Sequence, residues 1–181
     1  NFSDQWEEKS NHKIDRKALV EVLNDQNQTL TLSPLTRYNI NSLFEEHTFS
    51  VTTGHQLCLF TGPLYFLYKI ISTIKLVEEL KDKYPEKNFV PVFWMASEDH
   101  DFNEVNHIHL FGKRLEWNNG QKGAVGRMSL EGIEAVLDDL DKLLGDGKNA
   151  NHLSLLFRDT YLNHTNLADA SRYLVNNLFG K

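Results

Sequence analysis

Phe89-Val90-Pro91-Val92-Phe93-Trp94-Met95-Ala96-Ser97-Glu98-Asp99-His100-Asp101-Phe102 is the stretch on which the fold turns. An apolar run, Phe89 to Ala96, ends abruptly in the ionisable residues Glu98 to Asp101. A run of that length bounded by polar residues predicts a strand buried on both faces. In open α/β sheets, ligands bind beyond the carboxyl ends of such strands. Three carboxylates and an imidazole at that place mark a candidate site.

Working back from it, Tyr84-Pro85 marks the end of a helix. That helix opens at Pro63 and carries Leu67, Ile70, Ile71, Ile74 and Val77 at spacings of three and four, with Lys81, Lys83 and Lys87 near or beyond its end. Before it, Phe49 to Thr53 is short and rich in β-branched residues and predicts another strand, followed by Gly54-His55-Gln56 and a loop to Gly62. A strand–helix–strand unit of this length makes two parallel strands joined by a right-handed crossover. Gly54-His55-Gln56, Ser97–Asp101 and the amino end of helix 63–80 then share one sheet edge, and one crevice could collect all three.

Further out the pattern is helical, then mixed. Residues 1–14 are polar and predict a loosely packed end. Asp15 can cap a helix over 16–25 with Ala18, Leu19, Val22 and Leu23 on one face. Ser33-Pro34 starts a helix over 34–46 that would bury Leu35, Ile40, Leu43 and Phe44. Asn106–Phe111 and Arg114–Trp117 predict a hairpin around Gly112-Lys113, and Ala124–Met128 a further strand. Ile133, Val136, Leu137, Leu140 and Leu144 give an amphipathic helix ended by Gly145; Leu153, Leu156, Phe157 and Tyr161 give another. Asn166, with Asp169 three residues on, opens a last helix. The expected division is a helical segment over 1–48, the first half of an α/β core over 49–111, and a hairpin with helices over 112–181. There are no repeats.

Composition narrows the function classes. The chain has 181 residues, 40% of them hydrophobic and 24% charged, which suits a globular protein with one sizeable core. A net charge of −6 points away from nucleic acid, and no apolar block is long enough to span a membrane. No signal peptide pattern opens the chain, and a single cysteine, Cys58, fits a reducing cytoplasm. The chain begins at Asn1 without a methionine and stops just after a helical pattern, so it could be part of something longer.

Two constellations carry chemistry. In Thr53-Gly54-His55-Gln56…Thr61-Gly62-Pro63 the glycines allow close backbone approach to a ligand, and free amides at the helix start favour an anion such as a phosphate. His55 could stabilise charge or act as acid or base. The pattern lacks the Gly-Lys-Ser/Thr of a Walker loop and the Gly-x-Gly-x-x-Gly dinucleotide fingerprint, and a plain glycine turn with a helix cap reads as well. Tyr65 and Lys69, four apart, share a helix face near that amino end; Lys69 there opposes the helix dipole, which argues for an anionic partner, while a surface lysine is the bland alternative. In Glu98-Asp99-His100-Asp101, with Glu104 and Asn106, carboxylates could bind an amine, hold Mg²⁺ or act as base; a solvated acidic turn is the alternative. His100 and His107 do not make a recognised zinc spacing, so no metal ligands are assigned. His107 and His109 alternate on a strand and predict a sheet face. Cys58, between Leu57 and Leu59, predicts a packed thiol rather than a nucleophile.

At these residues the chain resembles a known family. Thr53-Gly54-His55-Gln56, Phe60-Thr61-Gly62-Pro63-Leu64-Tyr65, Lys69, and Pro91 to Phe102 with Glu104-Val105-Asn106-His107 look like the bacillithiol-biosynthesis cysteine-adding enzymes, the cysteine ligases. His55 stands where glutamine is common in that family. The resemblance implies a Rossmann-like core, of the nucleotidyltransferase or class I aminoacyl-tRNA synthetase type. Its sheet is parallel and incomplete here, with flanking helices. It also implies a longer parent with connecting segments and a coiled-coil arm that makes a homodimer. The implied reaction joins cysteine to glucosaminyl malate, with ATP, and Mg²⁺ if the carboxylates hold it.

On that reading His100, Asp99 and His55 are the catalytic candidates. Thr53, Gly54, Gln56, Gly62, Pro63, Tyr65, Lys69, Trp94, Glu98, Asp101 and Asn106 are the candidates for binding substrate or nucleotide. Two other readings stay open: a different nucleotidyl transfer on the same fold, and a non-catalytic binding or assembly module.

Overall fold

A computed structural model gives the fold, and it describes residues 2–180. The elements in chain order are α1 (Phe2–Ser10), α2 (Arg16–Gln26), α3 (Pro34–Ser42), β1 (Thr48–His55), α4 (Leu64–Lys83), β2 (Asn88–Met95), α5 (Phe102–Val105), β3 (His107–Leu110), β4 (Lys113–Glu116), α6 (Ile133–Leu144), α7 (Lys148–Leu162) and α8 (Leu167–Phe179). β1 pairs with β2 and β3 with β4. The amide of Asn88 donates to His47 and that of Ala96 to His55, the same offset at both ends, so β1 and β2 run parallel. The expected α/β unit, strand then crossover helix then parallel strand, is present.

The chain forms two compact units. The first comprises the chain up to Thr53, Ile70–Phe93 and the residues from Phe179. Its core gathers Val77, Leu80 and Phe89, with Trp6, Phe49, Val51 and Tyr84 packed against them. Trp6 meets Tyr84 edge-on at 4.3 Å between ring centroids. The start of the chain is therefore a helix with an anchored aromatic, not the loose end expected. Phe2 and Trp6, four apart, are too few in a polar stretch to establish a helical period. The caps of α2 and α3 are as expected: Asp15 Oδ1 accepts from Ala18 N, and Ser33 Oγ from Thr36 N. The faces are less so. Ile40 and Leu43 are buried, but Leu35, Phe44 and Val22 are exposed. Arg16 closes this region by donating to the carbonyls of Leu43, Glu46 and Thr48.

The crossover helix is rotated from the expected register. Its buried positions are Phe66, Ile70, Thr73, Val77 and Leu80, one stripe at spacings of three and four, while Ile71 is exposed. β2 is also less enclosed than its apolar run predicts. Phe89 and Val90 are buried, but Trp94 is 60% exposed. β1 is its sole strand partner among the described residues, and a two-stranded sheet gives burial on both faces only where other elements cover it.

The second unit comprises Gly54–Lys69 and Trp94–Leu178. α6 and α8 bring amphipathic faces, Ile133, Val136, Leu137 and Leu140 on the first and Leu167, Ala170 and Leu174 on the second, into a core with Leu57, Leu59, Val105 and Trp117. Arg158 on α7 ties that helix to α6 through Asp138 and Asp141. β3 and β4 form the predicted hairpin, with Leu110 opposite Lys113. Its two-residue turn, Phe111 and Gly112, has φ of 50° and 76°, the positive pair that a tight hairpin demands. The strand expected over 124–128 is instead a single 3₁₀ turn, Val125–Arg127. Its amides are taken by another loop: Val125 N donates to Asp99 O at 2.7 Å and Gly126 N to Ser97 O at 3.0 Å.

Candidate functional site

Apart from Thr53, both chemistry-bearing segments fall in the second unit. The chain leaves β2 at Met95 and turns at once, Ser97 N donating to Met95 O, then runs to α5. Asp99 is the hub of this turn. Its Oδ1 accepts from the Asp101 amide at 3.0 Å and its Oδ2 from Gln56 Nε2 at 2.8 Å. These two hydrogen bonds, the Asp101 amide first, hold the Asp99 carboxyl below its ordinary pKa. Gln56 Nε2 also donates to Glu104 Oε2 at 2.7 Å. One amide thus holds two carboxylates together and fastens the segment after β1 to the segment after β2. His100 and Asp101 are exposed beside them.

His55 lies apart from that clamp. Its ring packs against Phe66 and Tyr65 at the first turn of α4, and its Nδ1 is 3.7 Å from Cys58 Sγ. Burial pushes the Cys58 thiol up to about 11, with the Glu104 charge adding to it, so Cys58 is a packed, protonated thiol at neutral pH. Lys69 Nζ donates to Gly54 O at 2.6 Å and sits 5.2 Å from the Tyr65 ring centroid. Tyr65 itself is exposed, as is Pro63. Thr53 belongs to the first unit.

The two motif glycines are explained by packing. A Cβ on Gly54 would lie 3.3 Å from Trp94 Cβ, and one on Gly62 would lie 2.3 Å from Cys58 Cβ. Phe60, Thr61 and Gly62 have successive φ of 52°, 69° and 52°. Residues 57–60 are buried, and the Phe60 amide donates to the hydroxyl of Tyr161 at 2.8 Å. Burial raises the Tyr161 pKa well above its ordinary value, so the hydroxyl stays protonated. The loop between β1 and α4 is therefore a core element held by α7. Asn106 is likewise internal. It is 1% exposed, donates through Nδ2 to Trp117 O at 3.1 Å, and has Oδ1 within 3.1 Å of His107 Nδ1. No group of three metal-ligating side chains is close enough to hold an ion among the described residues.

Glu98 points elsewhere. With Ser97 it lines a cleft of about 390 Å³ whose other walls are Ala124, Gly126 and Arg127 from the 3₁₀ turn and Asn166, Ala168 and Asp169 from the start of α8. Sequence reasoning missed Arg127, which follows a glycine-rich turn with no periodicity. It read Asn166 and Asp169 as a helix start. They do form one, Asn166 Oδ1 accepting from Asp169 N at 2.9 Å and Asn166 Nδ2 donating to Asp169 Oδ2 at 2.8 Å.

A parallel strand–helix–strand unit with its polar side chains gathered past the carboxyl ends of the strands is the Rossmann-like class of α/β domain. The chain belongs to the family described as bacillithiol biosynthesis BshC, N-terminal Rossmann-like domain, whose pattern matches residues 1–181. Its relatives include proteins named "Putative cysteine ligase BshC". The one from Flavobacterium psychrophilum is 54% identical over 100% of this chain and 35% of its own length. That from Flavobacterium johnsoniae is 55% identical over 99% of the chain and 34% of its length, and that from Cytophaga hutchinsonii 44% over 97% and 32%. The chain spans about a third of the length of these relatives. No helix among the described residues is long and apolar enough to cross a membrane.

Proposed function

We propose that the chain is the part of a cysteine ligase that carries the acidic turn after β2, and that this turn handles the amines of the reaction. In the full-length protein the carboxyl of cysteine joins the amino group of glucosaminyl malate as an amide, in the pathway to bacillithiol. ATP, with Mg²⁺, supplies the activation of that carboxyl. The amino end of α4 is the place for its phosphates: Phe66 N is taken by Pro63 O, which leaves the amides of Leu64 and Tyr65 to a ligand, and His55 lies against that turn. Contact there would come from amides rather than a glycine cradle, since Trp94 and Cys58 fill the glycine spaces and Lys69 is held by the Gly54 carbonyl.

The observation that carries the reading is the Gln56 clamp. It keeps two carboxylates, Asp99 and Glu104, oriented together past the strand ends, and Asp99 stays ionised. A carboxylate pair of that kind attracts an ammonium group and can hold it in place. His100, exposed on the same turn, takes the proton that the attacking amine must lose. Trp94 and Tyr65, both exposed, offer flat apolar surface for a sugar or a base. A homodimer of the full-length protein is part of the same proposal.

The test is product formation from ATP, L-cysteine and glucosaminyl malate by the full-length protein, read by mass spectrometry. Asp99→Asn removes a charge-assisted contact and should lower turnover efficiency about ten- to a hundredfold. His100→Ala should lower it about 10²–10⁴-fold. Full activity in both folded variants would make the acidic turn structural and overturn the reading.

A further inference from the structure

The cleft between Glu98 and Arg127 is built by three chain segments held by backbone hydrogen bonds. Gly126 N donates to Ser97 O and Val125 N to Asp99 O, which fixes the 3₁₀ turn to the loop after β2. Leu167 N donates to Met128 O, and Ser129 and Asn166 form an isolated bridge, which fixes the start of α8 to the same turn. Gly126 cannot carry a side chain without meeting Ser97: a Cβ there would lie 2.6 Å from Ser97 Cβ and 2.8 Å from its carbonyl oxygen. The walls are therefore set by the backbone and not by mobile side chains.

The charges on those walls are opposed and unspent on each other. Arg127 is one wall's cation, and Glu98 and Asp169 are the anions. Neither Glu98 nor Arg127 has an ion-pair partner among the described residues, though both line one cleft of about 390 Å³. A volume of that size lies in the range for small-molecule sites, about 300–1,000 Å³. Asp169 is oriented by Asn166 Nδ2 through Oδ2 and has Arg172 Nη1 3.9 Å from its Oδ1, so Glu98 is the anion with no ion-pair partner among the described residues and Asp169 the second, shared one. A ligand that bridges such walls carries both charges: a carboxylate for the guanidinium and an ammonium for the carboxylates.

We infer that this cleft binds a free α-amino acid as its zwitterion, Arg127 taking the carboxylate and Glu98 with Asp169 the ammonium. The inference rests on the ligase reading in taking cysteine as the amino acid, and it adds Arg127 and Asp169 as the residues that choose an amino acid over a simple amine or acid.

Calorimetry on the full-length protein tests it with three probes: L-cysteine, cysteamine, which lacks the carboxylate, and 3-mercaptopropionate, which lacks the ammonium. Arg127→Gln should weaken L-cysteine and 3-mercaptopropionate about ten- to a hundredfold and leave cysteamine unchanged. Glu98→Gln should weaken L-cysteine and cysteamine and leave 3-mercaptopropionate unchanged. Arg127 is exposed, so its replacement leaves the fold intact, and Arg127→Lys should recover part of the affinity. L-cysteine binding unchanged in both variants, or no amino acid bound by the parent, overturns the inference. Ligation that survives Arg127→Gln but fails in Asp99→Asn would remove the cleft and keep the ligase reading. Arg127-dependent binding of other amino acids, without cysteine ligation, would keep the cleft and remove the reading.

Discussion

Replacing Gly126 by alanine puts the packing of the acidic turn to a direct test. The new methyl would lie 2.6 Å from Ser97 Cβ, 2.8 Å from Ser97 O and 3.0 Å from Ser97 Cα. Two of these atoms are backbone, so no rotamer change relieves the clash. Either the 3₁₀ turn or the loop after β2 must move, and the bonds Gly126 N to Ser97 O and Val125 N to Asp99 O stretch with it. Overpacking costs about 1–3 kcal/mol, and weakening two buried hydrogen bonds adds about 1–3 kcal/mol. The lower entropy of an unfolded alanine returns about 0.4–1 kcal/mol. The net loss is about 2–4 kcal/mol, or roughly 5–15 °C in Tm for a chain of this size. Thermal unfolding followed by circular dichroism measures it, with Gly147→Ala as control. Gly147 has open space around it and extended backbone, so its variant should stay within about 0.5 kcal/mol of the parent. A Gly126→Ala protein melting within about 1 °C of the parent would refute the close approach of the two loops.

Tyr161→Phe keeps the ring and leaves the buried Phe60 amide without its acceptor, so it should cost about 1–3 kcal/mol in urea unfolding. Asp99, whose folded pKa is depressed, should titrate below the ordinary aspartate value of about 3.9 in a carboxyl NMR titration. Its contribution to stability is present above that value and lost as pH falls through the folded pKa, and Gln56→Ala should move the titration upward. Cys58, with its pKa raised to about 11, should resist alkylation at pH 8 in the folded protein and react once unfolded. Its neutral form stabilises the fold below the ordinary thiol value of about 8.5, and that contribution is lost as pH rises towards about 11.

The β1–α4–β2 unit was legible because its signals are local: a β-branched run, a helix start at Pro63, a stop at Pro85 and an apolar strand of normal length. The face of α4 was not legible. Leu67, Ile71 and Ile74 offer as good a stripe as Phe66, Thr73 and Leu80, and only the packing partners choose between them. The same holds for the turn Val125–Arg127, where the amides of Val125 and Gly126 bond to Asp99 and Ser97, well back in sequence. Gly54 and Gly62 read in sequence as openings for a ligand, yet the atoms that fill those spaces belong to Trp94 and Cys58. Within the candidate site, the run Glu98–Asp101 was visible as a break in hydropathy. Arg127 was invisible, because nothing in a glycine-rich turn announces that it lines one cleft with Glu98.

The Phe60 amide finds its acceptor on a residue 101 positions further along the chain. Phe60 and Thr61 both hold positive φ, which side-chain-bearing residues adopt only when the surroundings impose it. During synthesis, then, the segment between β1 and α4 cannot settle until α7 has left the ribosome. Closing so long a loop is the slow kind of step in folding, since the entropy is lost before the contact forms. The first strand and the start of the crossover helix emerge early, but the geometry of the turn between them is decided late.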